Sequence, residues 1–152
     1  MNNFNCIIFD LDGTLIDSSI SVLNSFRYVL SSNSIIENVP LNSSVIGPPL
    51  KNAFIMLLGN SYSNTLIETL ISDFKKIYDE KEFKNTIPYY DIEYLLKQLK
   101  NARIKLFIAT NKRLIPTKKI IDYFYENTHV CIQVFCPPTA SPPPSQFVIK
   151  RF

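Results

Sequence analysis

The chain has 152 residues, of which 46% are hydrophobic and 19% are charged. This composition is typical of a globular protein and excludes a disordered one, and the length allows one domain with a small insert. The net charge of +3 comes from basic residues scattered along the chain, so we expect no nucleic-acid surface.

Membrane and export signals are absent from the sequence pattern. The longest apolar stretches, such as residues 53–58, are far shorter than the roughly 20 residues that cross a membrane. No basic region precedes the N-terminal apolar run, as it would in a signal peptide. The 3 cysteines show no CxxC spacing, which favours free thiols in a reducing compartment. We therefore expect a cytoplasmic protein.

The N-terminal segment predicts a strand followed by a helix. Residues 4–9 (FNCIIF) form an apolar run that predicts a buried strand. A polar loop (DLDGTLIDS) follows, with Asp17 and Ser18 as candidate N-caps. The spacing of apolar residues then predicts a helix over 19–30.

A helical insert of roughly 50 residues follows this helix by pattern. Residues 35–47 are loop-like, and residues 50–58 predict a short helix with Gly59 as its C-cap. The apolar spacing predicts a longer helix over 64–83.

Strands return in the second half of the chain. After a turn at 87–90 and a helix capped by Asp91, residues 104–109 predict a second buried strand. A helix with Pro116 at its start and a third strand over 130–135 complete the pattern.

This alternation predicts an α/β fold with a mostly parallel sheet. We assign residues 1–17 and 86–135 to the α/β core and residues 18–85 to the helical insert. Residues 136–152 contain clustered prolines and no amphipathic period, which predicts an irregular tail.

Two aspartates follow the first predicted strand. Asp10 and Asp12 lie at its carboxyl end, the edge at which open α/β sheets bind ligands. The first can act as a nucleophile and metal ligand, and the second as an acid or base whose carbonyl can also bind Mg²⁺. Gly13 permits a tight turn near an oxyanion, and Thr14 adds a hydroxyl. The alternative role for both carboxylates is capping of the loop.

The segment FDLDGTLIDS resembles the first motif of the haloacid dehalogenase superfamily, most of whose members are Mg²⁺-dependent phosphatases. LFIATN resembles the second motif, a hydrophobic strand ending in Ser or Thr, and gives Thr110. VIGPPL and the TNK segment with Lys112 are similar to the phosphoglycolate phosphatase branch. The resemblance implies a Rossmann-like core with an inserted α-helical cap over residues 18–85.

The resemblance also implies hydrolysis of a phosphomonoester through an aspartyl-phosphate. Asp10 would attack phosphorus, and Asp12 would protonate the leaving alkoxide and then deprotonate water. Mg²⁺ would bind the Asp10 carboxylate and the Asp12 carbonyl. Lys112 would face an anionic substrate, with a solvated lysine as the alternative. The implied phosphate and substrate contacts are Gly13, Thr14, Thr110, Asn111 and Lys112.

The family further uses a lysine and an acidic pair beyond the third strand. Residues 136–152 contain no acid, and Lys150 is their only lysine. We therefore expect a core that is incomplete at its C-terminus, through truncation or a frameshift after about His129. Without a fourth strand, residues 4–9 would form an exposed apolar edge that favours self-association.

Several functions remain open on this scaffold. The leading expectation is a phosphatase acting on a small phosphorylated metabolite, without nucleic-acid or membrane partners. The alternatives are an inactive remnant and a nucleotidase or phosphotransferase. Asp12 argues against a dehalogenase, because the resemblance implies no need for that acid in dehalogenation.

Overall fold

The structure, a computed structural model, describes residues 5–59, 62–126 and 132–135. These residues divide into two compact units. The sheet unit comprises the described residues of Met1–Asp17 and Ile87–Phe152, and the helical unit is Ser18–Thr86. No described helix is both long and apolar enough to cross a membrane.

Strands and helices alternate in the sheet unit, whereas the helical unit contains helices only, among the described residues. In chain order the elements are β1 (Cys6–Phe9), β2 (Ile16–Asp17), α1 (Ser19–Ser32), α2 (Leu50–Leu58), α3 (Asn64–Glu80), β3 (Ile87–Pro88), α4 (Ile92–Asn101), β4 (Lys105–Ala109), α5 (Leu114–Tyr125) and β5 (Ile132–Phe135). Single 3₁₀ turns occupy Ser43–Val45 and Glu82–Asn85.

The sheet unit is built on a parallel sheet with the order β1–β4–β5. Leu106 and Ile108 of the central strand β4 are buried. The register pairs Phe9 with Ile108, so β1 and β4 end together at one edge of the sheet. The predicted α/β fold with a parallel sheet is therefore confirmed.

Strand β1 is not buried as its apolar sequence predicted. The side chain of Ile8 is 63% exposed and Cys6 is exposed as well. Among the described residues β4 is the only strand that pairs with β1, so β1 is the outermost strand of the described sheet. The exposed residues alternate with half-buried Ile7 and Phe9, so the described residues leave one face of β1 uncovered.

The segment between Asp10 and Ser18, predicted as a polar loop, contains part of the apolar core. Leu11, Leu15 and Ile16 are fully buried. Strand β2 also pairs with β3 in an antiparallel ribbon where a turn was predicted at 87–90. Both strands have only two residues, which is too short for a periodic pattern to reveal.

Helix ends are set partly by caps that differ from those predicted. Ser18 and Asp91 hold the N-cap positions of α1 and α4, yet neither side chain accepts a capping hydrogen bond. Asp17 lies in β2 instead of capping the helix. In contrast, Gly59 ends α2 with a φ of 74°, as predicted. Ser63, for which no cap was predicted, caps α3.

The helical unit closes around aromatic side chains from all three of its helices. Phe26 of α1 lies with its ring centroid 4.9 Å from that of Phe54 in α2 and 4.6 Å from that of Phe74 in α3. The buried hydroxyls of Ser21 and Thr86 hydrogen-bond to each other at 3.0 Å. Apolar packing therefore holds this unit together, and its buried polar groups are paired.

Some sequence predictions fall outside the described residues. These are the start of the third strand at 130–131, the proline-rich segment 136–152, His129 and Lys150.

Candidate active site

The candidate site lies where β1 and β4 end. Because the two strands are parallel and pair Phe9 with Ile108, the residues that follow them emerge at the same sheet edge. Asp10 follows β1 directly, and Thr110 follows β4 directly. The two predicted motifs therefore meet at the carboxyl edge of the sheet.

Asp10 is exposed, and its Oδ1 accepts a hydrogen bond from the Leu11 N–H at 2.7 Å. This bond restricts the rotation of the carboxylate and stabilises its charge. The second carboxylate oxygen is the atom that could attack an electrophile or bind a cation.

Asp12 and Lys112 form an ion pair across the two motifs. The Lys112 Nζ lies 3.1 Å from the Asp12 Oδ1, and the lysine side chain is only 12% exposed. This arrangement contradicts the alternative of a solvated lysine. A lysine so poorly hydrated needs an anionic partner, and the acid of the first motif serves as one.

Thr110 connects the second motif to this ion pair. The side chain is buried, and its Oγ1 accepts a hydrogen bond from the Lys112 N–H at 3.1 Å. This bond uses an oxygen lone pair, so the hydroxyl proton can still be donated to a ligand oxygen. Asn111, between them, is exposed.

The loop after Asp12 is a tight turn. Gly13 has a φ of 80°, a conformation that favours glycine, and its N–H donates to the Ile16 carbonyl at 2.8 Å. The Thr14 N–H donates to the Leu11 carbonyl at 3.3 Å. Both amides are therefore bonded inside the loop, so a phosphate could use them only after the turn changes.

Tyr125 of α5 fixes this loop through a hydrogen bond, a role that the sequence did not reveal. Its hydroxyl donates to the Leu15 carbonyl at 2.9 Å, and the Tyr89 N–H reaches the same carbonyl at 3.1 Å. Burial, aided by the negative charge of Glu93, raises the pKa of Tyr125 to about 12. The available signal was a tyrosine on an otherwise apolar helix face, where the hydroxyl needs a partner.

The donor set at this edge matches the chemistry of Mg²⁺. Within the described residues, no group of three or more His, Cys, Asp or Glu side chains could hold a metal ion. Mg²⁺, however, prefers hard oxygen ligands and is commonly bound by one or two carboxylates together with water and phosphate oxygens. The Asp10 carboxylate and the Asp12 carbonyl provide oxygens of this kind.

Comparison with known protein families identifies the family of this chain. Residues 7–148 match the family described as haloacid dehalogenase-like hydrolase. The chain belongs to this family. The match covers both motifs of this chain and reaches into residues 136–152, the segment predicted as an irregular tail.

Relatives of this chain include proteins named as phosphatases and a protein named as a kinase. This chain is 33% identical to a phosphoglycolate phosphatase of Aquifex aeolicus over 117 residues, which cover 76% of this chain and 53% of the relative. It is 31% identical to the tyrosine-protein kinase PtkA of Mycobacterium tuberculosis over 127 residues, which cover 81% of this chain and 41% of PtkA. The chain thus spans about half the length of these curated relatives.

Solved structures support the fold. A putative phosphatase from Clostridium difficile matches with a TM-score of 0.76 and 24% sequence identity. The alignment covers 88% of this chain and 61% of that protein.

Proposed function

We propose that this chain carries the phosphoryl-transfer centre of a phosphomonoester hydrolase, with Asp10 as the nucleophile and Asp12 as the general acid and base. The main support is the meeting of the two motifs at one sheet edge, where Lys112 contacts Asp12 at 3.1 Å. The phosphatase names of relatives such as that of Aquifex aeolicus support the same reaction class.

The proposed reaction has two steps. In the first, an Asp10 carboxylate oxygen attacks phosphorus, the bond to the ester oxygen breaks, and Asp12 donates its proton to the leaving alkoxide. In the second, water attacks the aspartyl-phosphate, loses a proton to Asp12 and releases inorganic phosphate. Asp12 returns to its protonated form, so protons and atoms balance over the cycle.

The surrounding residues would bind and orient the phosphate. The Thr110 hydroxyl would donate to a phosphate oxygen, and Lys112 would orient Asp12 through their ion pair. Gly13, Thr14 and Asn111 are the further candidate substrate contacts. Mg²⁺ bound by the Asp10 carboxylate and the Asp12 carbonyl would neutralise phosphate charge.

We further propose a small phosphorylated metabolite as substrate, cytoplasmic location, and a cap role for the helical unit in substrate choice. Phosphoglycolate is the first candidate substrate because one relative is named a phosphoglycolate phosphatase. Transfer to another acceptor is the second candidate reaction, since PtkA is named a kinase. Both reactions share the first step, and the products separate them: inorganic phosphate for hydrolysis and a phosphorylated acceptor for transfer.

The test is hydrolysis of p-nitrophenyl phosphate and phosphoglycolate by the full chain with Mg²⁺. Asp10→Asn should abolish turnover because an amide oxygen is a poor nucleophile towards phosphorus. Asp122→Asn, an exposed aspartate of α5, is the matched control and should retain activity. Equal activity in Asp10→Asn and the wild type would contradict the proposed nucleophile.

A second readout does not depend on turnover. Asp12→Ala should slow hydrolysis by roughly 10²–10⁴-fold, because it removes the general base of the second step. With p-nitrophenyl phosphate, whose leaving group needs little protonation, the acid-quenched Asp12→Ala protein should carry a phosphoryl group on Asp10, detectable by mass spectrometry. If the wild type shows no turnover and Asp12→Ala carries no phosphoryl group, the inactive remnant is favoured and the proposal is overturned.

Metal binding should be weak in this chain. Two protein oxygen ligands leave most of the Mg²⁺ coordination shell to water, so we expect calorimetry to give low affinity. Tight, stoichiometric uptake that survives Asp10→Asn would contradict this ligand set.

A further inference from the structure

The turn that contains Asp12 is closed by its own main-chain hydrogen bonds. We call residues 10–16 the Asp12 loop. The Leu11 carbonyl accepts hydrogen bonds from the N–H groups of Leu15 and Ile16, at 2.9 and 3.1 Å. The side chains of Leu11, Leu15 and Ile16 have no exposed surface. A shift of Leu15 would therefore disturb these bonds and displace Asp12, which lies between Leu11 and Leu15 in the turn.

The Leu15 carbonyl connects the Asp12 loop to the rest of the sheet unit. It accepts one hydrogen bond from the Tyr125 hydroxyl at 2.9 Å and one from the Tyr89 N–H at 3.1 Å. These two bonds use both lone pairs of the carbonyl oxygen. The Tyr125 side chain is only 2% exposed, so water has little access to its hydrogen bond. Burial, aided by the negative charge of Glu93, raises the pKa of Tyr125 to about 12, so the hydroxyl keeps its proton and donates at neutral pH.

Helix α5 links this hydrogen bond to the ion pair of the site. It begins at Leu114, two residues after Lys112, and ends at Tyr125. The segment that contacts Asp12 through Lys112 therefore also holds Leu15 through Tyr125. The Asp12 side chain is 37% exposed, and a partly exposed ion pair alone holds its side chains weakly. A second contact from the same segment would keep the two charged groups together.

We propose that Tyr125 is a positioning residue that keeps Asp12 in contact with Lys112. Its hydroxyl fixes Leu15, and the closed turn transmits that position to Asp12. Lys112, on the same segment as Tyr125, then meets the carboxylate at 3.1 Å. The consequence for the reaction rests on the proposed function, in which Asp12 would be held where it can give its proton to the leaving alkoxide.

Lysine labelling tests the position of Asp12 without any turnover. Brief acetylation of the full chain with acetic anhydride, followed by mass spectrometry, measures how fast each lysine reacts. Lys112 is held by Asp12 and is only 12% exposed, so it should react slowly in the wild type. Tyr125→Phe should accelerate its labelling by about threefold or more, because the ion pair separates more often once the hydrogen bond is lost. Lys97, in an exposed ion pair, is the internal reference and should not change.

Ile120→Val is the matched control for a general loss of stability. Ile120 lies on the same helix and has no exposed surface. Removing one buried carbon costs stability comparable to the loss of one hydrogen bond, but it leaves the bond to Leu15 in place. Lys112 labelling should therefore match that of the wild type. Equal acceleration in both variants, or unchanged labelling in Tyr125→Phe, would overturn the proposal whether or not the chain is active.

A double variant tests whether Tyr125 acts through Asp12. Asp12→Asn removes the charged partner of Lys112 and should itself accelerate the labelling of that lysine. Adding Tyr125→Phe to this variant should then cause no further acceleration, because residues that act through one contact are not additive. Additive acceleration would mean that Tyr125 affects Lys112 by another route, and would overturn the proposal.

The ratio kcat/KM tests the consequence for the first chemical step. With an alkyl phosphate, whose leaving alkoxide needs a proton, Tyr125→Phe should lower kcat/KM by about three- to tenfold. With p-nitrophenyl phosphate the loss should stay below about twofold, and Ile120→Val should match the wild type with both substrates. An equal loss with both substrates would overturn the positioning of the proton donor. If no variant or wild type turns over while Lys112 labelling rises as expected, the proposed hydrolase fails and the positioning of Asp12 is supported.

Discussion

The helical unit and the sheet unit differ in how completely they bury their apolar side chains. In the helical unit, Phe26 and Phe54 have no exposed surface, and helices α1, α2 and α3 pack around them. In the sheet unit, Ile8 of β1 is 63% exposed, and a partly buried ion pair joins Asp12 to Lys112. One unit is closed by aromatic packing, whereas the other exposes an apolar side chain of β1 and contains a polar site.

This difference separates the origin of stability from the origin of chemistry. Aromatic burial stabilises the helical unit, whose described residues include no buried charged side chain. In the sheet unit, a hydrogen bond and an ion pair hold the polar side chains that follow β1 and β4. Substitutions should therefore affect stability most in the first unit and reaction rate most in the second.

The largest effect on stability should follow from Phe26→Ala. The ring is fully buried between Phe54 and Phe74, and removing it leaves a cavity, so we expect a loss of about 3–5 kcal/mol in unfolding free energy. Calorimetric or denaturant unfolding is the measurement. Tyr28→Ala on the same helix removes a ring that is 48% exposed and should cost much less. Similar losses in both variants would contradict the aromatic core.

Lys112→Met should act on rate instead of stability. If Lys112 orients Asp12, the loss should be about tenfold for an alkyl phosphate, whose alkoxide needs a proton, and smaller for p-nitrophenyl phosphate. Lys97→Met, at an exposed ion pair with Glu93, is the control and should change neither rate. An equal loss with both substrates would instead assign Lys112 to phosphate binding.

The sequence predicted the elements whose signals are local. Helix α2 spans Leu50–Leu58 as predicted, because Gly59 ends it with a positive φ that other residues rarely adopt. Helix α4 ends at Asn101 and α3 begins at Asn64, also as predicted. Helix α3, however, stops at Glu80, three residues early, where a 3₁₀ turn follows.

The parts that sequence missed depend on contacts between distant residues. Nothing local distinguishes the fully buried Leu15 and Ile16 from other apolar residues of a loop. The contact between Asp12 and Lys112 joins residues 100 positions apart, and only the pairing of β1 with β4 brings them together. The assignment of Asp10, Asp12 and Thr110 to catalysis stays a prediction, although the structure brings these residues to one sheet edge.

Tyr125→Phe should destabilise the sheet unit moderately. The Leu15 carbonyl loses the tyrosine donor but keeps the Tyr89 N–H, so we expect a loss of about 1 kcal/mol. Tyr123→Phe on the same helix removes a hydroxyl from a side chain that is 57% exposed and should be close to neutral. A neutral Tyr125→Phe would show that the loop does not depend on this hydrogen bond.

The pH dependence of the stability difference between the wild type and Tyr125→Phe should be the smallest and most specific effect. Burial raises the pKa of Tyr125 from 10.0 to about 12, so the folded state favours the protonated hydroxyl. The stability it contributes is fully present below pH 10 and is lost as the pH rises from about 10 through about 12. Urea unfolding of the wild type and Tyr125→Phe between pH 8 and about pH 11.5 isolates this change, because the lysines titrate equally in both proteins. The advantage of the wild type should shrink and then reverse over this range. A constant difference would mean that Tyr125 ionises in the folded protein as readily as in the unfolded chain, and that its hydroxyl is not held in a buried hydrogen bond.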